Sequence, residues 1–355
     1  MIFIKFILWF LLSEAIILSV RILLRKCNIK LWLDIVIIVL KLVIGTGLAY
    51  LSIAGPTALR LFQPFMMALY VSLFADACAK IAFIVINIIK KEINKTVILS
   101  VISFVFGIAF LVFGILNMQT VKPKYLTYTS DKLNNEYKIA FVADLHIGSS
   151  QSTETAKNTI RKIKNDNPDF VFLGGDIVDY FTKKEDMESV LSEFKDFDIP
   201  VYFVYGNHDS EGYFTEEEFE NCLTSNNVII LKDEFVSLSS DLALLGREDL
   251  SIDDRKDVDS LTNPYPDKYL IIIDHQPFDF EKQCSLGTDL QLSGHTHAGQ
   301  LFPLKWIYET SVHAYGKYSY GNSELYVSSG ASGWRVPLRA EVGCQYEIIE
   351  LKPQQ

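Results

Sequence analysis

Thiols are scarce in this sequence. Five cysteines occur among 355 residues, and no two are spaced C-x-x-C. Cys27 and Cys78 lie in an apolar first part, Cys222, Cys284 and Cys344 beyond it, and three is an odd number for an exported domain. Isolated packed thiols are expected rather than a disulfide framework or a thiolate metal cluster. Basic charge is also short, but only in one place. Residues 1–125 hold 13 Lys/Arg against 4 Asp/Glu, which leaves 20 basic and 39 acidic residues in the rest. So acidic a region argues against nucleic acid as partner or substrate, because phosphate backbones are held by Lys and Arg. Internal repeats and low-complexity segments are absent. No small-x-small cleavage site follows the first apolar run; Arg21, Arg25 and Lys26 come instead, so a removable signal peptide is not indicated.

What is plentiful is apolar surface: 49% of residues are hydrophobic, and the excess sits in the first 120. Four apolar stretches, 1–20, 31–53, 63–89 and 97–117, are each near the ~20 residues a helix needs to cross a bilayer. A bundle of four transmembrane helices is therefore expected over 1–120, then a linker over 121–136. The loop after the first stretch carries Arg21, Arg25, Lys26 and Lys30, the loop after the third Lys90, Lys91 and Lys95, and the second loop only Arg60. The positive-inside bias puts the first and third loops in the cytoplasm and the acidic region outside it, although Lys122 and Lys124 pull the other way. The ionisable residues within the spans, Glu14, Asp34, Lys41, Asp76 and Lys80, are open either to a functional role or to pairing between or along helices.

From residue 137 the pattern changes. Short β-rich runs at 138–143, 170–173 and 201–205 alternate with helical segments at 153–165, 187–197 and 215–223. Further β-rich runs follow at 228–231, 242–245, 270–273, 290–292, 325–327 and 346–351. This order predicts a layered α/β domain over 137–355 with helices outside the sheet.

The chemistry sits where strands end. The successive motifs are Asp144-Leu145-His146, Gly174-Gly175-Asp176-Ile177-Val178-Asp179, Gly206-Asn207-His208-Asp209, Asp274-His275-Gln276-Pro277 and Gly294-His295-Thr296-His297. Five of the six histidines fall in them, and ligands at the carboxyl ends of strands converge on one rim. Imidazole and carboxylate donors without thiolate suit Zn, Fe or Mn. An x-separated pair such as Asp144/His146 or His295/His297 would share one face of an extended segment. Arg335 and Arg339 follow a strand end and, like Arg247, are open either to gripping phosphate or to a salt bridge. His313, among Tyr308, Tyr315, Tyr318 and Tyr320, suits an ordinary loop position.

These motifs together resemble the calcineurin-like metallophosphoesterases over about 137–351. The membrane-associated bacterial branch is similar in Ser293-Gly294-His295-Thr296-His297-Ala298-Gly299-Gln300 and in Tyr326-Val327-Ser328-Ser329-Gly330, with Ala298 where that branch often has Gly. The resemblance implies a two-sheet α/β sandwich flanked by helices, with two metal ions at its edge. Asp144, His146, Asp176 and His297 would hold one ion and Asp176, Asn207, His275 and His295 the other. His208 would be a transition-state donor oriented by Asp179. The implied activity is hydrolysis of a phosphate mono- or diester by in-line attack of a metal-bridging hydroxide. A lipid or other membrane-resident substrate is expected, since Trp306–Tyr320 is aromatic-rich and four spans exceed what anchoring needs. The alternatives are a pyrophosphohydrolase of nucleotide-linked lipid intermediates, which belongs on the cytoplasmic side, and a catalytically silent metal-binding sensor or scaffold.

Overall fold

The computed structural model describes residues 95–301, 304–334 and 337–354, together with 71–72, 75–76 and 78. The chain divides into two compact units, Met1–Phe113 and Gly114–Gln355. Within the first, the apolar stretches 1–20, 31–53 and most of 63–89 lie outside the described residues, as do Glu14, Asp34, Lys41 and Lys80. Asp76 is buried. The fourth stretch belongs to a helix, Lys95–Gln119. Among the described residues no helix is long and apolar enough to cross a membrane. Val105, Phe106, Val112, Phe113 and Leu116 of this helix are exposed.

The second unit is built on two six-stranded sheets. Its strands are β1 (Lys122–Ser130), β2 (Tyr137–Val142), β3 (Phe170–Leu173), β4 (Val201–Phe203), β5 (Val228–Ile230), β6 (Glu234–Ser237), β7 (Leu242–Gly246), β8 (Tyr269–Ile273), β9 (Leu290–Ser293), β10 (Gly316–Tyr320), β11 (Ser323–Val327) and β12 (Gln345–Pro353). One sheet runs β1-β12-β2-β3-β4-β5 and the other β10-β11-β9-β8-β7-β6. β2 through β5 are parallel neighbours, and so are β7, β8, β9 and β11.

Alternation along β2 builds the layers. Ile139, Phe141 and Ala143 face the second sheet and pack with Phe172, Leu244, Ile271, Ile273 and Leu292. Ala140 and Val142 face outward with Val171, Leu173 and Phe203, against Ile160, Ile163, Met187, Val190, Phe219 and Leu223 of the covering helices. Those helices start where the sequence caps them. Ser152 accepts from the Thr155 N–H ahead of Thr153–Asn165, and Thr215 with Glu218 forms a reciprocal capping box ahead of Glu216–Ser225. The segment 187–197, expected as one helix, is a helix Lys184–Leu191 that tightens to a 3₁₀ turn, Ser192–Asp196.

The stretch 121–136, expected as a linker, contains β1, which pairs in parallel with β12 from Lys122↔Gln345 to Ser130↔Pro353. As an edge strand it buries only Leu126 and Tyr128, so its apolar signal is faint. β10 was likewise hidden in the tyrosine-rich loop. The described cysteines, Cys78, Cys222, Cys284 and Cys344, are all free.

One buried acid stands out on β12. Glu347 is fully enclosed; its Oε1 accepts from Gln345 Nε2 at 2.7 Å, and Oε2 finds no partner. Burial pushes its carboxyl from 4.5 up to about 8, opposed by hydrogen bonds from Ser328 and Gln345. The folded chain thus keeps a proton that the unfolded chain releases above its ordinary value. Stability is expected to fall as pH rises from about 4.5 to about 8 on this account. Unfolding midpoints across that range should show a smaller decline in Glu347→Gln, with the variant the more stable at pH 8.

Candidate metal centre

Loops from both sheets meet at the carboxyl ends of their parallel strands. Asp144 and His146 follow β2, Asp176 and Asp179 follow β3, and Asn207 and His208 follow β4. His275 follows β8, and His295 and His297 follow β9. Backbone bonds lock these loops together: Asp144 N–H donates to Gly175 O (2.9 Å), His146 N–H to Asp176 O (3.0 Å), Gly294 N–H to His275 O (3.0 Å) and Ser332 N–H to Asp144 O (2.8 Å).

The local backbone differs from the extended geometry expected of the paired motifs. Asp144, His146, Asp176, His295 and His297 all have positive φ, between 40° and 71°. A non-glycine residue in this region is strained, and such residues persist only where the surroundings over-determine them. The turn separates His295 from His297 rather than placing them side by side. Asp144, His146 and His297 form one group of donor atoms and Asp176, His275 and His295 another, the atoms of each lying within 4.8 Å of one another. Gly206 must lack a side chain, since a Cβ there would come within 2.5 Å of the Asp176 backbone N.

The donors fit metal ions. His275 Nδ1 donates to Gly174 O at 2.8 Å and His297 Nδ1 to Ser332 O at 3.2 Å, which leaves each Nε2 as the inward atom. His146 Nε2 and His297 Nε2 face each other at 3.3 Å. Asp176 Oδ2 lies 3.1 Å from His275 Nε2 and 3.8 Å from His146 Nε2, between the two groups. His297 Nε2 is 3.7 Å from Asp144 Oδ1. The Asn207 Oδ1 and His275 Nε2 atoms are buried without a hydrogen-bond partner. Such convergent, underused N and O donors are what a divalent cation completes.

Electrostatics points the same way. Burial raises the Asp144 carboxyl despite the nearby His275 imidazole. Burial opposes charge on Asp176 too, yet His275 holds it well below the usual carboxylate range. Burial lowers His295 to about 4, with His275 adding to the shift, and it drives His297 well down. His146 rises to about 9 although burial opposes it, because Asp179 and Asp176 attract the proton. The carboxylates demand positive charge, and bound cations would supply it in place of protons.

Asp209, the last residue of the third motif, went unassigned in the sequence. It accepts from the backbone N–H groups of Asp176 (2.7 Å), Ile177 (2.8 Å), Val178 (3.1 Å) and Gly206 (2.7 Å), fixing both loops beneath the centre. Burial, then the Asp176 charge, raises it to about 7 against those donors.

Residues 137–299 match the family model of the calcineurin-like phosphoesterases. A metallophosphoesterase of Campylobacter jejuni is 30% identical over 284 residues, covering 74% of this chain and 73% of its own. The chain belongs to the calcineurin-like phosphoesterases. One of Helicobacter pylori is 33% identical over 250 residues, 65% of this chain, which spans 63% of that relative's length. A Bos taurus protein named a transmembrane protein with metallophosphoesterase domain is 27% identical over 241 residues, covering 61% of this chain and 53% of its own.

The centre opens into a cleft of about 610 Å³. Asp176, Asn207, His208, His295 and His297 line its floor, and Phe278, Leu301, Tyr308, Val312 and Trp334 form apolar walls. The resemblance implied that Asp179 orients His208. The Asp179 Oδ2 lies 3.2 Å from His146 Nδ1, and Oδ1 accepts from the Phe181 N–H at 2.8 Å. His208 Nδ1 is instead 3.0 Å from Glu211 Oε2, and its ring stacks on Trp334 with centroids 5.7 Å apart. No motif signalled Glu211 or Trp334.

Arg339 and Arg247, weighed as phosphate grips, are both enclosed in the fold. Arg247 pairs with Asp233 and donates to Lys256 O. Arg339 donates to five carbonyls, those of Val342, Gly330, Ser332, His297 and Ser329. It thereby splices the His297 loop to the segment behind β11. Arg335 lies outside the described residues. His313 packs against Tyr318, ring centroids 4.2 Å apart, and lies outside the lining of the main cleft. Arg339→Lys keeps the charge but loses most of these bonds, and is expected to cost on the order of 2–4 kcal/mol. The shift of the denaturant midpoint measures it.

Proposed function

We propose that the chain is a membrane-anchored hydrolase of phosphate esters that works with two metal ions. The observation that carries this is the pair of donor groups that meet at Asp176 on the floor of one cleft. In this reading Asp144, His146, Asp176 and His297 hold one ion, and Asp176, Asn207, His275 and His295 the other. Two ions so held would polarise the phosphate, lower the pKa of coordinated water and neutralise developing charge.

The remaining steps belong to the side chains. Asp209 and Arg339 keep the loops rigid, so the donors need no rearrangement when substrate enters. Asp179 fixes the His146 ring through Nδ1. His208, on the cleft floor, donates a hydrogen bond to the phosphate or to the departing alkoxide. Nothing in this scheme requires a basic side chain to attract the ester; the ions offset the acidic surroundings.

The apolar walls favour an ester whose alcohol carries a hydrophobic part, such as a membrane lipid. Trp306, 60% exposed beside Tyr308, supports a rim that meets a lipid surface. The exposed apolar face of the helix Lys95–Gln119 and the apolar stretches before it support anchoring. The loop charges favour an extracytoplasmic catalytic domain, so a reporter fused after Gln355 that fluoresces only in the cytoplasm should stay dark.

With manganese and a chromogenic phosphodiester, Asp176→Asn should abolish turnover and lower bound metal, as measured by elemental analysis. His208→Ala should reduce the rate on the order of 10²–10⁴-fold with bound metal unchanged. Loss of metal from His208→Ala would refute its assignment as a donor to substrate. For the substrate class, Phe278→Ala in mixed micelles should raise KM for a lipid phosphate ester and leave KM for the soluble diester unaltered. Equal effects on both would remove the support for a hydrophobic substrate.

A further inference from the structure

His208 sits on the floor of the cleft with Asp176 and Asn207, so the direction of its free nitrogen decides what it can donate to. Four contacts hold this residue, two through its backbone and two through its ring. Its backbone N–H donates to Asp176 Oδ1 at 2.9 Å, tying the residue to the centre. Its carbonyl accepts from the Glu211 N–H at 3.0 Å, closing a tight turn that brings residue 211 back beneath the ring. Its Nδ1 then meets Glu211 Oε2 at 3.0 Å, while the Trp334 indole stacks against a face of the imidazole at an interplanar angle of 26°.

A carboxylate accepts only, so this contact makes Nδ1 the donor and leaves Nε2, across the ring, to the substrate. Asp179 Oδ2 lies 3.2 Å from His146 Nδ1, and its Oδ1 accepts from the Phe181 N–H.

We infer that Glu211 is the positioning residue for His208 in phosphate ester hydrolysis, with Trp334 clamping the ring in the plane the carboxylate selects. This rests on the reading of the cleft as a hydrolytic site. It differs from the Asp179 pairing in a way that kinetics can see. Glu211 is about one-third exposed, so the contact contributes little to stability, and its value lies in the orientation it imposes.

The test is a double-mutant cycle on the full chain in detergent, loaded with manganese and assayed with bis(p-nitrophenyl) phosphate. Glu211→Ala should lower kcat on the order of 10-fold, within the range of coupling between contacting residues. KM, bound manganese and the thermal midpoint should stay put. Glu211→Gln should recover most of the loss, because its amide oxygen still accepts from Nδ1–H. Placed on His208→Ala, Glu211→Ala should cost nothing more. An additive loss in the double variant, or loss of manganese from Glu211→Ala, would overturn the assignment. So would a cycle in which Asp179→Ala, and not Glu211→Ala, becomes silent on His208→Ala. If His208→Ala slows the enzyme and Glu211→Ala does not, the positioning role fails and the hydrolytic reading stands. Absence of manganese-dependent hydrolysis in the wild-type chain would sink the hydrolytic reading itself.

Discussion

A carboxylate buried where two sheets meet has to be compensated, and Asp176 is placed so that the compensation comes from both. Its Oδ2 approaches His275 Nε2 from the second sheet and His146 Nε2 from the first, and its Oδ1 takes the His208 N–H. Its own N–H is spent on Asp209. Without these contacts the charge would cost several kcal/mol on transfer out of water. With them it becomes the joint across which the strand ends of the sandwich are registered. The narrow gap beside it follows, since Gly206 must pass within touching distance of the Asp176 backbone.

The same region carries the strain. Left-handed backbone at Asp144, His146, Asp176, His295 and His297 is unfavourable at each residue. What offsets it is the rest of the sandwich: the packed faces of β2, β3, β8 and β9 and the enclosed Arg339 and Asp209. The rim is strained because the layers below it are not.

How much of this was legible in the sequence depended on how each feature announces itself. β2, β3, β4, β8 and β9 were marked twice, by an apolar run and by the polar motif that ends it. Periodicity also located the capped helices, though it could not say where the turns tighten to 3₁₀. β1 and β10 escaped because edge strands bury few side chains: Leu126 and Tyr128 are too little to separate a strand from a linker. The residues brought to the rim could be named from motif order, but not the partner of each ring. Whether Asp179 faces His146 or His208 depends on loop curvature, and the extended geometry assumed for Asp144-Leu145-His146 hid that curvature. The role of Arg339 stayed open for a related reason. A strand-end arginine beside a phosphate site looks like an anion grip until its burial is known, and burial of an arginine leaves no trace in local sequence.

The sheet order also governs how this unit comes into being. β12 lies between β1 and β2, parallel to the first and antiparallel to the second. Those two strands leave the ribosome early, but neither can pair with β12 until residues more than two hundred positions later have been made. During that interval the inner face of β1 and one backbone edge of β2 lack their cover, a state in which strands pair with the wrong partners. High sequence separation of this kind slows folding. The last strand acts as a fastener, and the assembly of the sandwich waits on the end of synthesis of its own domain rather than following the chain as it emerges.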